Sequence, residues 1–365
     1  VIVLAIVIGL LSLFIGNMNI NLQRAGLELS FNFLGNSANF SIGETLVPYD
    51  SSRSYLYAFF VGLLNTLRVI IVGFIFTTLL GVFAGVASFS DNWLVKKISL
   101  VYVEVIRNIP LLLQLIFWYF VVFFNLPPAR EKLQLPGSVF MSKSGIFIPW
   151  PALTTSFWLW LLVLAVGAIA VWFILQWRTK EMVEQSQSGQ KQLMIIGGMA
   201  IAAVIIIFFG FDWQFPTSPG QGQVTGGLQL SVEYAALLTG LVVYTAAFIA
   251  EIVRGGIQSV SRGQWEAARS LGLQSGLVMR LVVLPQALRV IIPPLSSQYM
   301  NLAKNSSLAL VIGYPDLYSV NQTIFNQTGR PVEAFIMLMS TYLLISLTIS
   351  LVMNQVNRAV QLQER

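Results

Sequence analysis

Long apolar runs recur along the chain and decide what it can fold into. Six of them cover residues 58–87, 98–125, 153–177, 193–212, 232–253 and 331–353. Each approaches or exceeds the roughly 20 residues that a helix needs to cross a hydrocarbon core about 30 Å thick. A membrane β-strand would instead alternate over about 10 residues, whereas residues 195–210 are apolar on all sides. The chain is therefore predicted to be an all-α, polytopic membrane protein.

Two weaker segments raise the expected number of transmembrane helices to about eight, with both ends in the cytoplasm. Residues 1–15 are apolar and start without Met, so we expect an incomplete first span; the core of a signal peptide is the alternative. Residues 287–303 contain Pro293 and Pro294, which are expected to break the span. Within the span 98–125, Pro110 is expected to produce a kink.

The distribution of basic residues supports this orientation. Only 10% of the residues are charged, against about 25% in a typical soluble domain. In the predicted topology the cytoplasmic loops carry 12 Lys and Arg residues and the extracytoplasmic ones 6, as expected for a membrane protein. The net charge of +6 is explained in this way, and no nucleic-acid partner is expected.

The absence of certain residue types limits the possible chemistry. The chain has no Cys and no His, which removes thiolate and imidazole metal sites and imidazole catalysis. A membrane enzyme is the alternative, but no nucleophile stands beside a base. The Gly-x4-Gly-Lys-Ser/Thr loop that binds nucleotide phosphates is also absent. We expect no catalytic residue, no metal site and no cofactor.

A short motif lies in a predicted cytoplasmic loop. Residues 261–285 read SRGQWEAARSLGLQSGLVMRLVVLP. Residues 264–271 can form a short helix, with small side chains at Ala267 and Ala268 that permit close docking and with Gly272 where a helix end favours positive φ. Such a knob can dock into a groove of a partner protein; an ordinary cytoplasmic turn and helix is the alternative.

The motif resembles a known family signature. Permeases of ATP-binding-cassette (ABC) importers carry Glu-Ala-Ala-x3-Gly-x9-Ile-x-Leu-Pro, and here the pattern is matched with Val282 in place of Ile. The matching residues are Glu266, Ala267, Ala268, Gly272, Leu284 and Pro285. The resemblance implies a type I ABC importer permease fold whose coupling helix, about 262–275, contacts an ATPase. Glu266, Ala267, Ala268, Arg269 and Gly272 are then the coupling residues.

The flanking sequence resembles the polar amino-acid branch of this superfamily. The likeness covers roughly residues 58–125 and 230–355, on AAFIAEIVRGGIQSV, PQALRVIIPPLSSQYMNLAKNSSLA and YVEVIRNIPLLLQLIFWYF. The intervening part resembles the enlarged permeases of general L-amino-acid and glutamate/glutamine/aspartate/asparagine uptake systems. The expected division is 1–57 (first span and extracytoplasmic segment), 58–125 (core), 126–229 (inserted loops and two extra helices) and 230–365 (core with the coupling helix).

This resemblance implies partners and a location. They are two ATPase subunits that bind ATP and Mg, a second permease subunit that is a paralogue, a periplasmic amino-acid-binding protein and membrane lipid, in the bacterial inner membrane. The implied substrates are L-amino acids, either those with polar, acidic and amide side chains or a broad range of them. A secondary transporter or channel independent of ATP is the alternative, but such proteins normally show inverted repeats, and no convincing repeat is present.

Polar residues within the apolar runs are candidates for the substrate pathway. Arg68 has no acidic residue three or four positions away, so it either attracts the substrate α-carboxylate or snorkels or pairs with another helix. The other candidates are Asn301, Lys304, Asn305, Ser306 and Ser307. Lys304 is a second possible carboxylate partner, and helix–helix hydrogen bonding is the alternative for the Asn and Ser residues.

Two pairs of opposite charge stand three residues apart near the predicted inner ends of spans. Glu104 is followed by Arg107, and Glu251 by Arg254. Residues at this spacing share a helix face. Both are predicted to be structural ion pairs.

Overall fold

The structure is a computed structural model and describes residues 29–184, 189–220 and 223–361, with isolated positions before residue 29. The predicted first span, 1–15, lies outside the continuously described residues. Contacts divide the chain into two compact units, Val1–Val121 with Glu233–Arg365, and Val122–Val232.

Helices dominate the described residues. In chain order the α-helices are α1 (Tyr55–Ala87), α2 (Trp93–Arg107), α3 (Leu111–Ile116), α4 (Thr155–Glu184), α5 (Gln190–Ile205), α6 (Val232–Gln258), α7 (Arg262–Ser270), α8 (Ser275–Val278), α9 (Leu284–Asn305), α10 (Leu317–Thr328) and α11 (Pro331–Val360). π-Helical turns follow at Phe117–Phe123, Ile206–Gly210 and Met279–Val283, and 3₁₀ turns at Asn32–Gly35, Ala129–Glu131 and Ser306–Ile312. The strands are β1 (Leu133–Leu135), β2 (Val139–Ser142), β3 (Gly145–Ile148), β4 (Trp150–Pro151), β5 (Trp213–Gln214), β6 (Thr217–Gly220), β7 (Gln223–Thr225) and β8 (Leu228–Leu230).

By length and composition, six described helices can cross a membrane. They cover Tyr55–Ala87, Thr155–Arg178, Gln190–Gly210, Val232–Gln258, Ser275–Ile312 and Pro331–Val360, and a sharply bent pair makes up to seven. The multi-pass helical architecture expected from the apolar runs is confirmed. The first of the eight expected spans lies outside the described residues.

The predicted span 98–125 is bent at Pro110 far more sharply than the expected kink. Helices α2 and α3, the latter with its π-helical extension, meet at 107°. Pro110 disfavours helix at the residue before it and lacks the N–H that would continue the helix. The amide Nδ2 of Asn108 donates to the Glu104 carbonyl at 2.6 Å, and Nε2 of the buried Gln114 donates to the carbonyls of Ile106 and Ile109 at 2.9 and 3.0 Å. These bonds add side-chain donors to carbonyls at the corner, where the regular helical donors end.

The predicted break at Pro293 and Pro294 is wrong, because α9 runs through both residues. Two adjacent prolines remove two neighbouring N–H donors from the helix, and both residues are exposed. The remaining helical bonds hold the backbone. Prolines are tolerated in this way in membrane helices.

Close helix contacts in the first unit depend on glycine. A Cβ built at Gly81 would lie 2.5 Å from Cγ2 of Ile249, and one at Gly256 would lie 2.3 Å from Cγ1 of Ile291. Helix α6 therefore packs tightly against both α1 and α9. Small residues permit such close approach between membrane helices, and many α6 side chains are buried as a result.

The segment before α1 folds against the first unit. Phe33 and Ala38 are buried in a cluster with Tyr55, Phe59 and Ile324. The backbone N–H of Ser30 donates to Oε1 of Glu333 at 3.1 Å. This segment, residues 29–54, is called the outer segment below.

The second unit contains α4, α5 and small antiparallel sheets. The largest sheet has the order β1-β2-β3-β8, and β4–β5 and β6–β7 form two-stranded sheets. Loops and two helices were expected in this region, and the strands were not predicted. A local signal was present in the three-residue turn that joins β1 to β2, because Gly137 and Ser138 there both have positive φ, 82° and 58°, and a glycine suits such a hairpin turn.

Candidate coupling and translocation site

Helix α7 ends in a complete glycine cap. Gly272 has φ +77°, its N–H donates to the Arg269 carbonyl at 2.9 Å, and the N–H of Leu273 donates to the Ala268 carbonyl at 3.3 Å. This pair of bonds is the Schellman motif. The predicted short helix and the positive φ at Gly272 are confirmed.

One face of α7 is fixed and the other is free among the described residues. Ala268 is 3% exposed and lies in a buried cluster with Val278, Ala287 and Ile291. The side chains of Glu266, Ala267 and Arg269 are exposed. The helix is therefore held to the first unit through Ala268 while three of the predicted coupling residues face outward.

The most exposed apolar side chain at this knob was missed by the sequence analysis. Leu271 is 82% exposed and stands directly before the capping Gly272. A large exposed apolar residue at the tip of a small helix offers apolar surface that a partner can bury. Its position between the motif residues Ala268 and Gly272 was the available signal.

Arg68 is paired in the structure. Its guanidinium forms an ion pair with Glu44 of the outer segment and lies over the Tyr234 ring, 4.0 Å from the centroid. Nδ2 of Asn65 donates to the backbone carbonyls of Glu44 and Pro315, both at 2.8 Å. The ion-pair partner stands 24 residues before Arg68, beyond the reach of a helix-spacing rule.

Helix α9 carries an exposed polar stripe. Ser297, Asn301 and Lys304 are exposed, and their spacing of four and three residues places them on one helix face. Among the described residues no carboxylate lies within ion-pair distance of Lys304. A charged face of this kind is costly in lipid, so the stripe is expected to face water or protein. Ser297 was missed, although it lies one turn before Asn301.

The remaining predicted pathway residues lie at the end of α9. Ser306 is buried and its hydroxyl donates to the Ala303 carbonyl at 2.8 Å. Ser307 donates to the Lys304 carbonyl at 2.7 Å, and Asn305 is half-buried. Their role in the pathway stays a prediction.

The charged groups near the inner ends of α2 and α6 form a different network from the predicted one. The predicted Glu104–Arg107 pair is wrong: Arg107 pairs with Glu251 of α6 at 3.7 Å and packs on the Phe248 ring at 5.2 Å. Arg107 thus gains both a carboxylate and an aromatic face across the helix interface. The predicted Glu251–Arg254 pair is confirmed at 2.6 Å.

A buried carboxyl group lies between α9 and α10. Asp316 is 0% exposed, and its Oδ1 caps α10 by accepting from the Ser319 N–H at 2.8 Å. Burial raises the pKa of Asp316 to about 7. Its Oδ2 has no hydrogen-bond partner at normal geometry. Within the described residues no group of His, Cys, Asp and Glu is arranged to hold a metal ion.

Comparison with known proteins identifies the family. The family described as the inner membrane component of binding-protein-dependent transport systems matches residues 77–362. The putative amino-acid ABC transporter permease protein YhdX of Escherichia coli (strain K12) is 43% identical over 98% of this chain and 92% of its own. The general L-amino acid transport system permease protein AapQ of Rhizobium johnstonii is 41% identical over 96% and 88%.

A third relative and one solved structure agree. The glutamate/glutamine/aspartate/asparagine transport system permease protein BztB of Rhodobacter capsulatus is 38% identical over 96% of this chain and 90% of its own. A crystal structure of an amino acid ABC transporter with histidines superposes with a TM-score of 0.50 at 23% identity, over 84% of this chain and 95% of that one, which shows a shared fold. The chain belongs to the family of inner membrane components of binding-protein-dependent transport systems.

Proposed function

We propose that the chain is the permease subunit of an ATP-driven ABC importer for L-amino acids. The observation that carries the proposal is the exposed coupling knob, α7 with Leu271, fixed through Ala268 to the buried cluster that also contains residues of α9. The knob offers a partner ATPase a docking point, and α9 carries the polar stripe. The names of the relatives support amino acids as the substrates, either those with polar, acidic and amide side chains or a broad range of them.

The proposed assembly has four kinds of partner. Two ATPase subunits bind ATP and Mg and contact the knob at Glu266, Ala267, Arg269 and Leu271, with Ala268 and Gly272 holding its shape. A paralogous permease completes the pathway, a periplasmic binding protein delivers the amino acid, and lipid of the bacterial inner membrane surrounds the helices. The chain itself binds no cofactor and catalyses no reaction in this proposal.

The proposed substrate route follows the stripe on α9. Lys304 is the preferred partner of the substrate α-carboxylate because, among the described residues, it forms no ion pair. Asn301, Asn305 and Ser307 offer hydrogen bonds beside it, and Ser306 supports the backbone from the interior. Arg68 borders the route with its charge already matched by Glu44.

Uptake into proteoliposomes tests the proposal. The chain is purified in mild detergent with its copurifying partners, and uptake of a panel of labelled amino acids is measured with and without internal ATP. Glu266→Lys and Gly272→Asp are expected to remain in the membrane and abolish uptake, because the first reverses a charge on the docking face and the second strains the cap.

Gln361→Lys is the control, since it adds a positive charge at an exposed site that follows α11 and lies outside the motif. Its uptake is expected to equal that of the unmodified chain. Normal uptake in both knob variants would contradict the assignment of the knob as the docking surface for the ATPase. Uptake that does not depend on ATP would instead favour a secondary transporter.

A further inference from the structure

The ion pair between Glu44 and Arg68 is largely removed from solvent. The two side chains are 16% and 12% exposed. The Tyr234 ring lies on the guanidinium, and Asn65 fixes the backbone of Glu44. A buried pair of this kind is intolerant of losing one partner, because the other charge is left uncompensated.

Glu44 reaches this position on non-helical backbone. Arg68 lies 13 residues beyond Tyr55, the first residue of α1, which is about 20 Å along the helix axis. The outer segment descends by that distance beside α1, and its residues Ser41, Gly43 and Leu46 are exposed. Irregular backbone beside a membrane helix is tolerated where it is buried in protein or borders a water-filled cavity.

The pair lies beyond the Lys304 end of the polar stripe, beside Tyr314 and Pro315. Tyr234, which covers Arg68, packs on Tyr314 with ring centroids 5.7 Å apart. Tyr314 and Lys304 are separated mainly by the 3₁₀ turns at Ser306–Ile312, which span about 15 Å at roughly 2 Å per residue. A substrate that approaches Lys304 from outside therefore comes within the electrostatic range of the pair.

We propose that Glu44 is a specificity-determining residue of the transporter. By cancelling the charge of Arg68, it keeps this guanidinium from favouring acidic over basic amino acids on the outer approach to Lys304. The inference rests on the proposed function, in which the α9 stripe lines the amino-acid route. It adds a residue of the outer segment that sets the charge preference without needing to touch the substrate.

The expected size of the effect follows from Coulomb's law. A single uncompensated charge at about 15 Å, at an effective dielectric constant of about 40, changes the affinity for a singly charged amino acid by about two- to threefold. The change is opposite in sign for glutamate and for arginine. The ratio of their affinities is therefore expected to shift by roughly fivefold.

Competition binding measures this ratio directly. The complete purified transporter, in nanodiscs without the binding protein, is loaded with the labelled amino acid that it binds most tightly. Unlabelled glutamate and arginine are then compared by the concentration that displaces half of the label. Glu44→Gln is expected to shift the ratio about fivefold toward glutamate, and Arg68→Gln about fivefold toward arginine.

The double variant separates charge from structure. Glu44→Gln combined with Arg68→Gln leaves no net charge, and its ratio is expected to return to within about twofold of the unmodified value. Asp50→Asn is the matched control, because Asp50 pairs with Arg53 on the same outer segment but both side chains are about 60% exposed and solvent screens the change. Its ratio is expected to remain unchanged.

Two results would overturn the assignment. In the first, both single variants weaken glutamate and arginine equally, which would make the pair purely structural. In the second, the double variant keeps the shift of either single variant. Failure of the proposed function is distinguishable, because the unmodified transporter would then bind none of the labelled amino acids.

Discussion

Leu271 offers the sharpest test of the coupling knob. Burying a Leu side chain completely contributes about 1.5–3 kcal/mol, and 82% of Leu271 is exposed and available to a partner. Truncation to Ala removes most of that apolar surface, so Leu271→Ala is expected to weaken ATPase docking by about 1–2 kcal/mol. This corresponds to a five- to thirtyfold higher dissociation constant, at about 1.4 kcal/mol per tenfold.

The assay uses the permease in nanodiscs, titrated with the purified ATPase partner. The dissociation constant is measured first, and substrate-stimulated ATP hydrolysis second. Leu46→Ala is the control, because Leu46 is also an exposed leucine, 49%, but lies on the outer segment. It is expected to leave both measurements unchanged.

The stability of Leu271→Ala must be measured together with its affinity for the ATPase. Leu271 makes little contact within the chain, so the melting temperature of Leu271→Ala is expected to equal that of the unmodified permease. An unchanged dissociation constant for the ATPase, with a normally folded permease, would refute Leu271 as the anchor. Docking of the ATPase would then have to rest on other residues.

Two further predictions concern the stability of the first unit. Gly256→Val is expected to lower the melting temperature of the detergent-purified chain by several degrees, because a Cβ there would meet Ile291 at 2.3 Å and overpacking costs about 1–3 kcal/mol. Gly255→Val is the control, since no atom lies within 4 Å of a Cβ built there. An equal loss in both variants would exclude the close contact as the cause. The raised pKa of Asp316 means that the folded chain binds this proton more tightly than the unfolded chain, so stability falls as pH rises from about 3.8 to about 7. Asp316→Asn keeps a capping oxygen and is expected to flatten that fall in melting temperatures measured between pH 4 and 8; an unchanged slope would assign it to other groups.

Most of the fold could be predicted from patterns within short stretches of the sequence. The apolar runs predicted the spanning helices because a membrane requires about 20 apolar residues in a row. The glycine cap of α7 was readable because Gly272 had to take positive φ immediately after a short helix. In both cases the cause and its effect lie within a few residues of each other.

Contacts between residues that are far apart in the sequence could not be predicted in this way. Glu44 meets Arg68 because an irregular segment descends beside α1, and no periodicity predicts that path. Arg107 forms its ion pair with Glu251, which lies 144 residues away in another helix, and not with the nearby Glu104. Pro110 gives a corner and not a kink, and Gln114 adds side-chain donors to the carbonyls at that corner. Each outcome depended on a side chain brought in by tertiary packing.

The buried cluster around Ala268 has a mechanical consequence. It joins α7 to Val278 and to Ala287, Ile291 and Leu295 in the inner half of α9, so in the proposed function a push on the knob reaches α9 through packed side chains. Helix α9 has 22 residues and is about 33 Å long. A rotation of about 5° pivoting at its inner end therefore swings Lys304, at the far end, by about 3 Å. That stroke is close to the length of one hydrogen bond, enough to make or break the contact with a carboxylate that we propose for Lys304.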